Sequence, residues 1–507
     1  MDNKITSYAG EGTAVKTEKY LKLIDDTISC GRYKADWKSL SAHKTPSWYY
    51  EAKLGIFIHW GIYSVPAYAC EWYPRWMYNP GSREYEFHKK NFGDPKDFGY
   101  KDFIPMFKGE KFDADKWVDL FARSGAKYVM PVLEHHDGFA MYSTEFNRWN
   151  AAQMGPCRDI ALEIRKACDN KGIAFCGSSH RAEHYFFMNM GRAIDSDVND
   201  EEYRDFYGPA YLCPELSDTA VFHTLEDVFS PAKPSEEWLT DWLVRTCELI
   251  DKCRPKILYF DTWIQNEAFK PYLKKVCAYY YNRAEEWGEE VTINYKHNAF
   301  PQGVATFDVE RGALTGISPV PWQTDTAIGR YSWGYIKDNE FKPARQIICD
   351  LVDIVSKNGM LLINVGPKPD GTITPEETFV LEELGEWMKL NGEGIYGTTP
   401  WKVFGEGEVN NAEGSFQDND EKAFTSEDFR FTYKDGFIYA FCMRLDSKNI
   451  LIRSLRLKGE RDFGIESAAV LGDYSIESFS RDENGLSIVL DRVPVSDRPI
   501  CFKIGLA

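Results

Sequence analysis

Along roughly the first three quarters of this 507-residue chain, short apolar runs repeatedly end on ionisable side chains. Leu258-Tyr259-Phe260 delivers Asp261-Thr262-Trp263, and Leu54 to Ile58 delivers His59-Trp60-Gly61. Tyr128 to Leu133 leads into Glu134-His135-His136-Asp137, and Ala305-Thr306-Phe307 into Asp308-Val309-Glu310-Arg311. Unbroken apolar runs of this length suit parallel strands buried on both faces, and in an α/β barrel the C-terminal strand ends meet at one site. Amphipathic stretches lie between the runs. Asp113 is placed to cap one helix, with Trp117, Val118, Phe121 and Ala122 at helical spacing and Gly125 to end it. Further strands read as Ile173 to Ser179, Ile257 to Asp261, Glu290 to Tyr295, Ala305 to Val309 and Met360 to Gly366. An eighth, around Trp322 to Thr326, carries a weak signal. This alternation predicts an α/β fold, a TIM-like (β/α)8 barrel with room for irregularity.

The pattern predicts three segments. Residues 1–45 form a polar, helical N-terminal arm, and 46–392 form the barrel. Within the barrel, 185–238 breaks the rhythm with Tyr, Pro and acidic residues; an insertion there is placed to cover the C-terminal face. A helix through Glu376 to Leu390 ends near Asn391-Gly392, after which the period shortens. Six short alternating runs follow: Phe429 to Tyr433, Phe437 to Met443, Ile450 to Leu455, Ala468 to Leu471, Leu486 to Leu490 and Ile500 to Ile504. They predict an antiparallel β-sandwich over 393–507. It holds no ionisable constellation and reads as a structural cap.

Composition narrows the classes. A formal net charge of −18 argues against nucleic acid as a partner, because a polyanion would be repelled. No run is long and apolar enough for a transmembrane helix, and Met1 to Gly10 has no apolar leader core, so the expectation is a soluble, cytoplasmic protein without a membrane partner. The 12 cysteines are scattered without a Cys-x-x-Cys pair and read as small core residues in a reducing compartment. Aromatic content of 15% fits a large core and equally a sugar site, where rings stack on apolar sugar faces.

Two carboxylates at the ends of different strands, Asp261 and Glu310, are what glycosidic cleavage requires: one to attack the anomeric carbon, one to protonate the leaving oxygen. Asp308 competes with Glu310, two residues earlier on the same strand face; Glu310 has the longer reach and lies nearer the rim. Glu71, beside Trp72, reads as a ligand for substrate hydroxyls. His59, His135, His136 and His180 invite comparison with a metal site. The first strand, however, carries one histidine where barrel metallohydrolases carry His-x-His, and neighbours such as His135 and His136 alternate in direction along a strand. Imidazoles bonding sugar hydroxyls fit better, and neither metal nor cofactor is expected.

Several of these segments resemble the retaining α-L-fucosidases of glycoside hydrolase family 29. They are Trp48 to Gly61, Glu71-Trp72-Tyr73, His135 to Phe139, Phe260-Asp261, Ser332 to Tyr335 and Ser356 to Pro367, in the family's order across most of the barrel. The resemblance implies an exo-acting enzyme that releases terminal α-linked L-fucose from a fucosylated oligosaccharide or glycoconjugate by double displacement. Asp261 is then the nucleophile and Glu310 the acid/base, with His59, Glu71, Trp72, His135, His136 and His180 around the sugar. Trp72, Trp263 and Trp322 are candidates for the apolar wall facing the 6-methyl group. Two departures stand out: Ser178-Ser179-His180 where many relatives have paired tyrosines, and Lys296 where many have arginine. The rival readings are a non-catalytic carbohydrate-binding barrel and a barrel glycosidase for another sugar, such as an α-galactoside.

Overall fold

A computed structural model describes residues 11–211, 233–410, 413–418, 420–457, 459, 462–494 and 496–507. The first strands are β1 (Leu54–Ile58), β2 (Tyr128–Glu134) and a third split at Cys176 into β3 (Ala174–Phe175) and β4 (Gly177–Ser179). β5 (Ile257–Phe260), β6 (Thr292–Tyr295), β7 (Thr306–Glu310), β8 (Trp322–Ala327) and β9 (Gly359–Val365) complete the set. All pair in parallel in the order β1-β9-β8-β7-β6-β5-β4-β2, and β1 pairs back onto β2 to close the barrel. Every residue of β1, β2, β5 and β9 is buried, as strands walled on both faces must be. The barrel is irregular in one respect: turns replace helices between β6 and β7 and between β7 and β8.

Helix formation follows local chemistry. Asp113 accepts the backbone N–H of Lys116 and caps Ala114–Arg123, whose buried face is Ala114, Trp117, Val118, Leu120 and Phe121. Gly125, at φ +96°, ends that turn and leads into β2. Thr374 and Glu377 form a reciprocal capping box at the start of Pro375–Asn391.

β8 is fully buried despite its sequence, Trp-Gln-Thr-Asp-Thr-Ala. Gln323 and Asp325 belong to a network that fills the barrel, while Thr324 and Thr326 turn outward to Val309 O and Asp418. Gln323 accepts from the Tyr49 and Tyr128 hydroxyls at 2.6 and 3.2 Å and donates to Asp308 at 2.7 Å. Asn294 donates to the Tyr49 oxygen, and the Tyr259 hydroxyl reaches both Asp308 and Asp325. Burial of these polar groups is tolerated because most of their atoms satisfy one another; Asn294 Oδ1 and Asp325 Oδ1 are the exceptions.

The interruption after β4 consists of short helical turns through Arg181–Tyr185, Asn189–Arg192 and Arg204–Tyr207; the stretch 212–232 lies outside the described residues. From Thr399 onward the chain forms antiparallel sheets. One has five strands in the order β10 (Thr399–Glu406), β11 (Phe429–Lys434), β12 (Phe437–Cys442), β17 (Ile500–Leu506) and β14 (Ile465–Val470). The other has three: β13 (Asn449–Ile452), β16 (Leu486–Leu490) and β15 (Ile476–Arg481). A shared core including Phe429, Phe431, Ile438, Ile452, Leu486 and Phe502 joins them. β10 and β15 escape the hydrophobic pattern because most of their residues are exposed or half-buried. Among the described residues, no helix is long and apolar enough to cross a membrane.

A buried ion cluster ties the sheets to the barrel. Asp353, on helix Ala344–Ser356, accepts from Arg430 of β11 at 2.5 Å and from Lys357 at 2.7 Å. All three are essentially solvent-free. Removing one partner leaves charge buried and underpaired, so Arg430→Ala should cost about 3–5 kcal/mol, read as a lower urea midpoint. A loss below about 1 kcal/mol would mean the cluster is not a structural tie.

Candidate active site

The C-terminal strand ends surround a cavity of about 330 Å³ lined by His59, Glu71, Trp72, His135, His136, His180, Asp261 and Glu310, among others. A larger cavity, about 670 Å³, lies among residues preceding the barrel strands, such as Lys127, Lys256 and Val291. The smaller one gathers the ionisable strand ends and is the functional candidate.

Asp261 follows β5 directly. One of its oxygens takes the Lys296 ammonium at 2.9 Å; the other takes His180 Nδ1 at 2.7 Å and lies 3.4 Å from His136 Nε2. Burial pushes this carboxyl up, but Lys296, then His180 and His136, outweigh it and hold the group well below the usual carboxylate range. Lys296, just past β6, also contacts Glu310 at 2.6 Å. The two contacts place the carboxylate oxygens about 5.5 Å apart at most, the separation that fits a retaining pair. Despite burial, the surrounding carboxylates, Asp261 foremost, keep the lysine charged.

Glu310 and Asp308 share a strand face but differ in depth. Asp308 is buried in the network beneath the site, bonded to Gln323 and Tyr259, and does not line the cavity. Glu310 does line it. Arg311, which could have neutralised either, turns instead to Asp418 at 3.2 Å. Asp325, two residues before the end of β8, lines the cavity floor; burial raises its carboxyl to about 7 although Lys296 opposes the shift.

The histidines differ in state. Asn364, on β9, donates its amide to Trp333 O and so aims its oxygen at His59 Nδ1, 2.6 Å away. That assigns the proton to Nδ1 and leaves His59 Nε2 as an acceptor; burial, then His180, holds the ring neutral. His180 is likewise held low by burial, its Nδ1–H donating to Asp261 and its Nε2 accepting from Ser178 at 3.0 Å. His135 is neutral for the same reason, burial first. His136 is the exception. Burial opposes its charge, but Glu183 and Asp261 raise it to about 9, and its Nδ1–H donates to the His180 carbonyl.

His135 and His136 were expected on opposite faces. Both line the cavity, with ring centroids 4.4 Å apart, because they lie beyond the end of β2, where strand alternation has ceased. Glu71 accepts from Ser332 Oγ at 3.0 Å and the Trp333 N–H at 2.9 Å, and Trp72 sets its edge against His136. Two expected wall residues are elsewhere. Trp322 opens β8 at the opposite end of the barrel, its indole N–H on Lys357 O. Trp263 is buried behind the site against Tyr185, Phe186 and Phe269 and does not line the cavity. The Ser332-Trp333 pair takes a place in the wall that the strand pattern could not reveal, since it sits in a loop after β8.

Among the described residues, two groups bring three donor atoms close enough to hold a metal: His59, His135 and His180, or His136, His180 and Asp261. Both nitrogens of His180 are already bonded within the protein, and Asp261 is flanked by two cations, Lys296 and His136. The donors suit hydroxyl groups better than a metal ion.

Fold and site together define a barrel glycoside hydrolase. The family model for α-L-fucosidase matches residues 23–393. Bovine tissue α-L-fucosidase is 32% identical over 388 residues, 73% of either chain, and the human tissue enzyme is 28% identical over 93% of this chain and 90% of its own. The crystal structure of Thermotoga maritima α-fucosidase in complex with a mechanism-based inhibitor aligns with a TM-score of 0.72 at 29% identity, covering 94% of this chain and all of that one. The same enzyme in complex with fucose aligns at 0.70. The chain belongs to the α-L-fucosidases, glycoside hydrolase family 29.

Proposed function

We propose that this α-L-fucosidase removes terminal fucose from a fucosylated oligosaccharide or glycoconjugate by double displacement, with Asp261 as nucleophile and Glu310 as acid/base. The observation that carries the assignment is the single ammonium of Lys296 seated against both carboxylates, which keeps an oxygen of each within about 5.5 Å of the other, close enough for a retaining pair and too close for an inverting one. Asp261, held well below the usual carboxylate range chiefly by Lys296, attacks the anomeric carbon as the carboxylate. Glu310 protonates the departing oxygen, then takes the proton from the water that releases the β-fucosyl ester. Esterification removes the Asp261 charge, and Lys296 then has chiefly Glu310 to neutralise. The neutral imidazole of His59 accepts from a sugar hydroxyl, and the imidazolium of His136, its Nε2 turned to Asp261, helps keep the nucleophile ionised. Glu71 has an oxygen left to accept another.

Azide separates the two roles. Asp261→Ala and Glu310→Ala should each lose at least a thousandfold in kcat on an aryl α-L-fucoside, a loss of about 4 kcal/mol or more in transition-state stabilisation. Azide should yield β-fucosyl azide from Asp261→Ala and α-fucosyl azide from Glu310→Ala. The same anomer from both, or rescue of neither, would remove the assignment.

Lys296 gives a pH test. Its charge depresses Asp261, so Lys296→Met should raise that carboxyl. The acid limb of kcat/KM for the remaining activity should then move to higher pH by roughly 1–3 units. An unmoved limb would mean that Asp261 is not the ionisation that limits the reaction in acid.

A further inference from the structure

The fucose end of the cavity is crowded with imidazoles and carboxylates, but its mouth is built differently. Tyr331 and Phe416 both line it and are 55% and 51% exposed. Large aromatic rings left this open to water at a cavity rim are surfaces for a ligand rather than core.

Phe416 arrives from far along the chain. The segment 413–418 runs antiparallel to the stretch that follows β7. Gly414 N–H donates to Ala313 O, Phe416 N–H to Glu310 O at 3.0 Å, and Gln417 N–H to Arg311 O at 2.8 Å. Asp418 anchors the segment by accepting from Arg311, Lys342 and Thr326. The ring is therefore held beside the backbone of the residue assigned as proton donor, on the side where a departing sugar must lie.

Tyr331 has a second setting. It also lines an adjoining groove of about 460 Å³ with Tyr68, Arg83, Arg330 and Asp338, so space and polar side chains continue beyond the cavity mouth. This is the composition of a surface that takes a further sugar: flat rings for the apolar face of a pyranose and charged groups for its hydroxyls.

We propose that Phe416 and Tyr331 form the subsite for the sugar from which fucose is cleaved, with the groove past Tyr331 receiving the rest of the glycan. The proposal rests on the fucosidase reading and adds the leaving-group side to it. Neither ring is part of the buried core, so truncating it leaves the fold intact.

The test compares two substrates on the full-length protein: α-L-fucosyl fluoride, whose leaving group is too small to reach either ring, and a fucosylated disaccharide. Phe416→Ala and Tyr331→Ala should each lower kcat/KM on the disaccharide about tenfold more than on the fluoride, the scale on which truncating a binding aromatic is felt. Phe416→Tyr, which keeps a ring, should recover most of that difference. Equal losses on both substrates would overturn the subsite. A wild type inactive on the fluoride would overturn the fucosidase reading beneath it, so the two failures are distinguishable.

Discussion

The site is organised around one ammonium group. Lys296 sits against Asp261 and Glu310 at hydrogen-bonding distance, with Asp325 at 3.9 Å behind them. Several carboxylates this close in a buried pocket would otherwise repel one another and take up protons. One fixed positive charge lets two of them stand within reach of a single sugar while Asp261 stays ionised. A lysine provides this as a compact charge that two oxygens can approach from different sides, where the forked guanidinium of arginine favours one paired carboxylate.

The lysine in turn depends on what lies beneath it. The barrel interior is not a hydrocarbon plug at this level but a chain of hydrogen bonds from Tyr49 and Tyr128 through Gln323 and Asp308 to Tyr259 and Asp325. Side chains satisfied in this way have little freedom to turn, and they form the floor under Lys296. A comparable arrangement orients the imidazoles. Trp333 O aligns Asn364, Asn364 sets the His59 tautomer, and Asp261 does the same for His180. Donor and acceptor directions are therefore set before any sugar enters, which is how a site avoids reorganisation cost during reaction.

How much of this could be read from the chain depends on where each signal lies. Asp261, His59 and Glu310 end strands or follow them directly, so the apolar runs pointed to their place in the cavity. β8 is faint because both its faces are polar, Gln323 and Asp325 inward and Thr324 and Thr326 outward, and hydropathy has no way to mark a strand whose partners are other polar groups. Trp322 has the composition of a sugar wall but opens that strand, about 17 Å of extended chain from the end that matters. His135 and His136 were read by strand alternation after the strand had ended. Lys296 stood out only as a departure from a resemblance, since its importance comes from two carboxylates at distant positions in sequence. Phe416 gave no signal, for it lies in a polar loop more than a hundred residues after Glu310 and reaches the cavity through the backbone pairing of its segment and the anchoring of Asp418.

Double displacement at this site requires Asp261 to form a covalent bond to the sugar. Incubation with 2-deoxy-2-fluoro-L-fucosyl fluoride slows both steps but leaves a good leaving group, so the intermediate should accumulate. Intact-mass measurement should then show one added fluorofucosyl group per chain, and peptide mapping should locate it on Asp261, with no label on Asp261→Ala. Label on Asp325, Glu310 or any other carboxylate would contradict the account.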